Sequence, residues 1–104
     1  MYIAMNRFKV RAGAEDEFET IWKTRETRLN GMAGFRTFHL LRGATDQDQG
    51  YTLYATHTVW DSETAFTAWT RSPEFGSSHR DSGSGRLLMD GHPRFEGFHA
   101  VEGA

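Results

Sequence analysis

From Tyr2 to Val10 the chain alternates: Tyr2, Ala4, Asn6, Phe8 and Val10 fall on one side, and Ile3, Met5, Arg7 and Lys9 on the other. That is the period of a β-strand, and it puts the polar Asn6 on the same face as Phe8 and Val10. Ala12-Gly13 reads as a turn. Glu15, Asp16 and Glu17 then suit the positive end of a helix dipole. Phe18, Ile21, Trp22, Arg25 and Leu29 recur at helical spacing, which predicts one amphipathic helix running to about Arg28. After Asn30-Gly31 and Ala33-Gly34 a second strand is expected over Phe35 to Arg42, with the polar stretch Gly43 to Gly50 as its hairpin loop.

Tyr51 to Trp60 reads as a third strand. It carries Tyr51, Leu53, Ala55 and Val59 on one face and Tyr54 and Trp60 on the other, so both faces hold apolar groups. Asp61 or Ser62 can cap a second helix with Ala65, Phe66 and Trp69 on one stripe. Ser72-Pro73 breaks it, since Pro suits the first position of a new helix and Ser the cap before it. A short helix from Pro73 to about His79 follows, with Phe75 and His79 four apart on one face. Asp81 to Gly85, rich in Ser and Gly, reads as a mobile loop, and Arg94 to Val101 as a weak last strand. The order strand, helix, strand, strand, helix, strand is the ferredoxin-like α+β arrangement, an antiparallel four-stranded sheet with helices on one face. The bare apolar face of strand three calls for cover, and a second copy of the chain supplies it most economically, so a homodimer is expected.

The 104 residues suit a single domain spanning 1–104. A formal charge of -2 gives no footprint for nucleic acid. The absence of cysteine excludes disulfides, thiolate metal sites and thiol catalysis. No signal-peptide pattern and no apolar run of membrane-spanning length is present, which makes no membrane partner and a cytoplasmic location the expectation. Aromatic residues make up 13% of the chain, enough for a pocket that takes a flat ligand or for a small aromatic core.

Three residues stand out against that background. Asn6 interrupts an apolar face, and a buried amide without a partner costs about 1 to 3 kcal/mol, so something must satisfy it, either a backbone group or a ligand. Trp69 on its apolar stripe has the ordinary role of a core residue, but a rigid indole can also press on a flat aromatic ligand. His79 near a helix end can simply be solvated. Zinc wants three or four ligands and no His or carboxylate partner accompanies His79, whereas haem iron needs only one protein ligand if its other side stays open. Arg25, beside Trp22, can reach a carboxylate of a ligand, orient pocket water or make a surface salt bridge. His39, His57, His92 and His99 read as structural. No Ser-His-Asp order, phosphate loop or dinucleotide fingerprint appears.

Asn6-Arg7-Phe8, Gly34-Phe35, Phe38-His39-Leu40-Leu41-Arg42, Val59-Trp60 and the stretch from Ala65-Phe66-Thr67-Ala68-Trp69 to His79 resemble the antibiotic biosynthesis monooxygenase superfamily, and within it the IsdG-type haem-degrading monooxygenases. The resemblance implies a dimeric α+β barrel with haem, both cofactor and substrate, between sheet and helices. It implies His79 as proximal iron ligand, Asn6 as the distal amide near dioxygen and Trp69 as the group that ruffles the ring. Trp22, Arg25 and Phe75 would line the haem site. An external electron donor and O2 would yield an opened tetrapyrrole and free iron. Trp22 stands where smaller aromatics are common in the family. Two alternatives compete: a cofactor-independent monooxygenase acting on a quinol or polyketide aromatic, and a haem-binding carrier or sensor without enzymatic activity.

Overall fold

The structure, a computed structural model, describes residues 1–25, 28–73, 75 and 88–104. Strand β1 (Tyr2–Arg11) is followed by helix α1 (Glu15–Thr24), a 3-10 turn (Leu29–Gly31), strands β2 (Phe35–Asp46) and β3 (Tyr51–Trp60), helix α2 (Glu63–Thr70) and strand β4 (Arg94–His99). The strands form one antiparallel sheet in the order β2-β3-β1-β4, the ferredoxin-like arrangement expected from the order of elements. Both helices pack on the face that carries Tyr2, Ala4, Phe8, Val10, Thr52, Tyr54, Thr56 and Trp60, all of them buried.

Three element ends differ from the sequence expectation. Helix α1 stops at Thr24 rather than near Arg28, with Arg25 already extended (φ -66°, ψ 144°). The cause lies in the core. Phe18 packs with Phe8, Val10 and Tyr54, whereas Leu29 packs with Tyr2, Trp60 and Trp69, so the chain leaves the helix axis to reach a second cluster. Strand β2 continues to Asp46 rather than ending at Arg42. Its polar end still pairs with β3 across a register shift, and the Thr45 and Thr52 hydroxyls bond at 2.8 Å. The turn shrinks to four residues closed by Asp46, whose carboxylate accepts the Gln49 amide and whose carbonyl accepts that of Gly50. Strand β4 ends at His99, two residues short of Val101.

Helix α1 has no side-chain N-cap. Glu15 instead turns back to accept the Gly13 amide at 2.7 Å, while its other oxygen accepts the Thr52 hydroxyl at 2.8 Å and ties the helix start to β3. Those bonds, with its own backbone amide foremost, hold the Glu15 carboxyl below the usual carboxylate range. Helix α2 is capped by Ser62, whose hydroxyl accepts the Ala65 amide at 3.1 Å. The other sheet face carries Ile3, Met5, Leu53, Ala55, Val59 and the half-exposed Leu41 and Phe98, with His39 directly opposite His57. Among the described residues no helix is long and apolar enough to cross a membrane.

Candidate functional site

The core is not continuous. One cluster gathers Tyr2, Ala4, Leu29, Trp60 and Trp69 under α2, and the other gathers Phe8, Val10, Phe18 and Tyr54 under α1. Between them the register sets two rows across the sheet, Ala4 beside Thr58 and Asn6 beside Thr56, followed on β2 by Phe38 and Leu40. Small or polar side chains thus occupy the middle of the helix-facing surface, and aromatic rings stand at both ends. Such a floor can take the face of a flat ligand, with few groups to fix its orientation.

Asn6 lies on this floor, half-buried, on the face the alternation predicts. Among the described residues its amide makes no hydrogen bond, although Thr56 on one side and Phe95 on the other are its register partners. Trp69 is buried, between Trp60 at 6.3 Å and Phe75 edge-on at 5.6 Å between ring centroids, so its indole is fixed as a wall. The Ser72 hydroxyl accepts the Phe75 amide at 3.2 Å, the bond expected of a cap at the Ser72-Pro73 break. On the β4 side Phe66 stacks on Phe95 at 5.6 Å with 7° between their planes and closes the floor. His79 and the Asp81 to Gly85 segment lie outside the described residues.

Trp22 and Arg25 come together as expected. The indole stacks on Phe38 at 6.0 Å and 17°, and the Arg25 guanidinium lies over both rings, 4.5 Å from Trp22 and 4.8 Å from Phe38. Beyond that stack a cleft of about 190 Å³ opens on the β2 side of the floor. Trp22, Phe38, Leu40 and Tyr54 form its base, and Glu19, Lys23 and Arg42 its rim.

Sequence reasoning missed this rim. The Tyr54 hydroxyl donates to Glu19 Oε2 at 2.5 Å, and Arg42 Nη1 donates to the same oxygen at 3.0 Å. The bond from Tyr54 holds the Glu19 carboxyl below its ordinary range. Burial, and then the Glu19 bond, push the Tyr54 hydroxyl well above its ordinary value, so it stays a donor. A signal was available: Thr52, Thr56 and Thr58 share a strand face with Tyr54 and Trp60, an alternation of small and large on the buried side. His39 and His57 pair across strands away from the floor, and His99 bonds Glu63 at 3.1 Å. Among the described residues no three His, Cys, Asp or Glu side chains gather to hold a metal ion.

A ferredoxin-like sheet whose helix-covered face carries a half-buried amide between aromatic clusters defines a small α+β domain. The chain belongs to the antibiotic biosynthesis monooxygenase family, whose sequence pattern matches residues 1–81. It is 32% identical over 71 residues to the "Heme oxygenase (mycobilin-producing)" of two Mycobacterium tuberculosis strains, across 68% of this chain and 64% of the relative's length. Among solved structures it is similar to the heme-degrader MhuD from Mycobacterium tuberculosis with two hemes bound in its active site, at 27% identity and TM-score 0.73, covering 100% of this chain and 99% of that one. It is also similar to SnoaB, a cofactor-independent oxygenase from Streptomyces nogalater, at 25% identity and TM-score 0.68, covering 97% and 93%.

Proposed function

We propose that the chain is a haem-degrading monooxygenase that binds haem over the Ala4, Asn6, Thr56 and Thr58 floor and opens the porphyrin with O2 and electrons from an external donor, releasing iron. The observation that carries this reading is the half-buried Asn6 amide, free of hydrogen bonds among the described residues and set between Thr56 on β3 and Phe95 on β4. An amide on an otherwise apolar strand face that still reaches water is available to a ligand whose oxygen accepts its hydrogen bond.

Haem supplies, when bound, the iron at which dioxygen is reduced and the ring carbon that is oxidised. The chain supplies placement. Asn6 would donate a hydrogen bond from the sheet side to an oxygen of the bound ligand. Trp69, pinned by Trp60 and Phe75, would be the rigid wall against which a bound haem packs. By resemblance His79 would be the ligand to iron, Phe75 would line the haem site, and Arg25, which lies over Trp22, would meet a carboxylate of the haem. A second copy covers the apolar face that carries Ile3, Val59, Leu41 and Phe98, which makes the working unit a homodimer. The reaction draws on reductant, which suits a cytoplasmic location.

Titrating the purified protein with haemin is expected to develop a saturable Soret band that His79→Ala weakens strongly. An ordinary free-haemin spectrum sinks the reading. With ascorbate, air and catalase present, loss of the band with release of iron is the expected course, and a stable band points to a carrier. The likeness to SnoaB favours one alternative, oxidation of a quinol or polyketide aromatic on the same floor. Oxygen uptake with such substrates in haem-free protein distinguishes it.

A further inference from the structure

Thr52 and Thr56 lie four residues apart on the helix-facing side of β3, and their hydroxyls are used differently. Thr52 is fully buried, and its hydroxyl bonds Thr45 Oγ1 and Glu15 Oε2, each at 2.8 Å. Thr56 is almost as deep, at 4% exposed, but its hydroxyl makes no hydrogen bond among the described residues. Nor is it sealed: the little surface that Thr56 keeps includes the hydroxyl oxygen. For stability alone valine, which has the same shape, would serve this position better. Thr56 stands on the floor directly beside Asn6, whose amide is likewise without a hydrogen bond among the described residues.

Resting on the haem reading above, we propose that the Thr56 hydroxyl donates a second hydrogen bond to the ligand oxygen that Asn6 meets. The two residues are cross-strand partners, so their Cβ atoms stand about 4.5 to 5.5 Å apart on one face. Donors that close converge on a single oxygen above the sheet, and an oxygen with two lone pairs accepts both. The two are not equivalent. The Asn6 amide presents its N–H groups in a fixed plane, whereas the Thr56 hydroxyl is a rotor that turns to follow the oxygen. Because that hydroxyl reaches water, it accepts a bond from solvent while it donates to the ligand. The rest of the row restricts the oxygen to this spot. Leu40 follows Thr56 on β2 and Phe95 follows Asn6 on β4, and neither side chain offers a donor. A ligand that turns an oxygen toward Asn6 and Thr56 therefore gains two bonds, and one that turns it toward either flank gains none.

Thr56→Val removes the hydroxyl and keeps the shape, while Thr56→Ser keeps the hydroxyl and removes the methyl. Without ligand, Thr56→Val is expected to melt at or above the parent's temperature by circular dichroism. A fall of several degrees shows that the hydroxyl is satisfied within the protein and overturns the proposal. With haemin bound, reduced by dithionite and exposed to carbon monoxide, the infrared C–O stretch reads hydrogen bonding at the ligand oxygen without any turnover. Thr56→Val is expected to move that band to higher frequency, and Thr56→Ser to return it to the parent's position. A band unmoved by Thr56→Val, or moved equally by both variants, overturns the proposal while leaving the haem reading standing. No Soret band from haemin overturns the haem reading, and 1,4-naphthoquinone, whose carbonyl oxygens serve as the probe, then decides the matter through quenching of tryptophan fluorescence. Loss of one hydrogen bond is expected to weaken that quinone roughly threefold to tenfold in Thr56→Val and not in Thr56→Ser. Equal binding by parent and Thr56→Val overturns the assignment.

Discussion

Replacing Asn6 by leucine is expected to make the protein more stable and inactive together. The amide is half-buried and makes no hydrogen bond among the described residues. Complete burial of an unpaired amide costs about 1 to 3 kcal/mol, so about half of that is at stake here. A leucine in the same place buries about half a side chain, worth roughly 1 kcal/mol at the usual transfer value. The larger β-propensity of an apolar residue adds in the same direction. Together these give a gain of about 1.5 to 2.5 kcal/mol. For a domain of this length that is roughly 6 to 20 °C in Tm, readable by circular dichroism. Asn6→Val, smaller and β-branched, guards against overpacking and is expected to gain about half as much. The reasoning fails if both variants melt at or below the parent's temperature, because the amide is then satisfied within the protein. If Asn6→Leu melts higher but still degrades haem, Asn6 has no role at the oxygen.

Three further outcomes follow from the same geometry. Gly34 has φ +80°, and a Cβ there would lie 2.5 Å from the Ala65 Cβ, so Gly34→Ala is expected to cost about 2 to 5 kcal/mol from backbone strain and the forced retreat of α2, measured by urea unfolding. Ser62→Ala, which removes the cap of the same helix, is expected to cost about 0.5 to 2 kcal/mol in the same assay. The Tyr54 hydroxyl titrates higher in the folded protein than in the unfolded chain. Its contribution is therefore present in full below the unfolded value of about 10 and lost as pH rises from there toward the folded value. Glu15 and Glu19 shift the other way, so what they contribute is present above the ordinary carboxylate value and lost as pH falls below it. Urea midpoints across pH 9 to 11.5 are expected to fall for the parent and to stay flatter for Tyr54→Phe, and parallel curves would remove the assignment.

How far the sequence carries depends on the range of the interaction that fixes each feature. Strands β1 and β3 are legible because a period of two is written in adjacent residues, and Tyr51 to Trp60 has the same bounds in sequence and structure. The end of α1 is not legible, because helical spacing puts Leu29 on the stripe of Phe18 and Trp22 while the fold assigns it to the other cluster. Only the separation of those clusters explains the break. The end of β2 is hidden for a related reason: backbone pairing and a chain of bonds from Thr45 through Thr52 to Glu15 hold polar residues in a strand that composition reads as a loop.

The site divides in the same way. Asn6 announces itself locally, as a polar residue on an apolar face, and Trp22 with Arg25 follow from helical spacing. The floor and the rim depend instead on register. Thr56 and Thr58 become a floor only when Asn6 and Ala4 are placed beside them, and Glu19, Arg42 and Tyr54 meet from three elements separated by up to 35 residues. Register is also what makes the two halves of the site one. Because Asn6, Thr56 and Leu40 stand in a single row, the group proposed to meet oxygen and the cleft lined by Leu40 are set by the same pairing of β1, β3 and β2. A one-residue slip would turn that row to the opposite face and remove both together, so selection on either half would hold the pairing of the whole sheet.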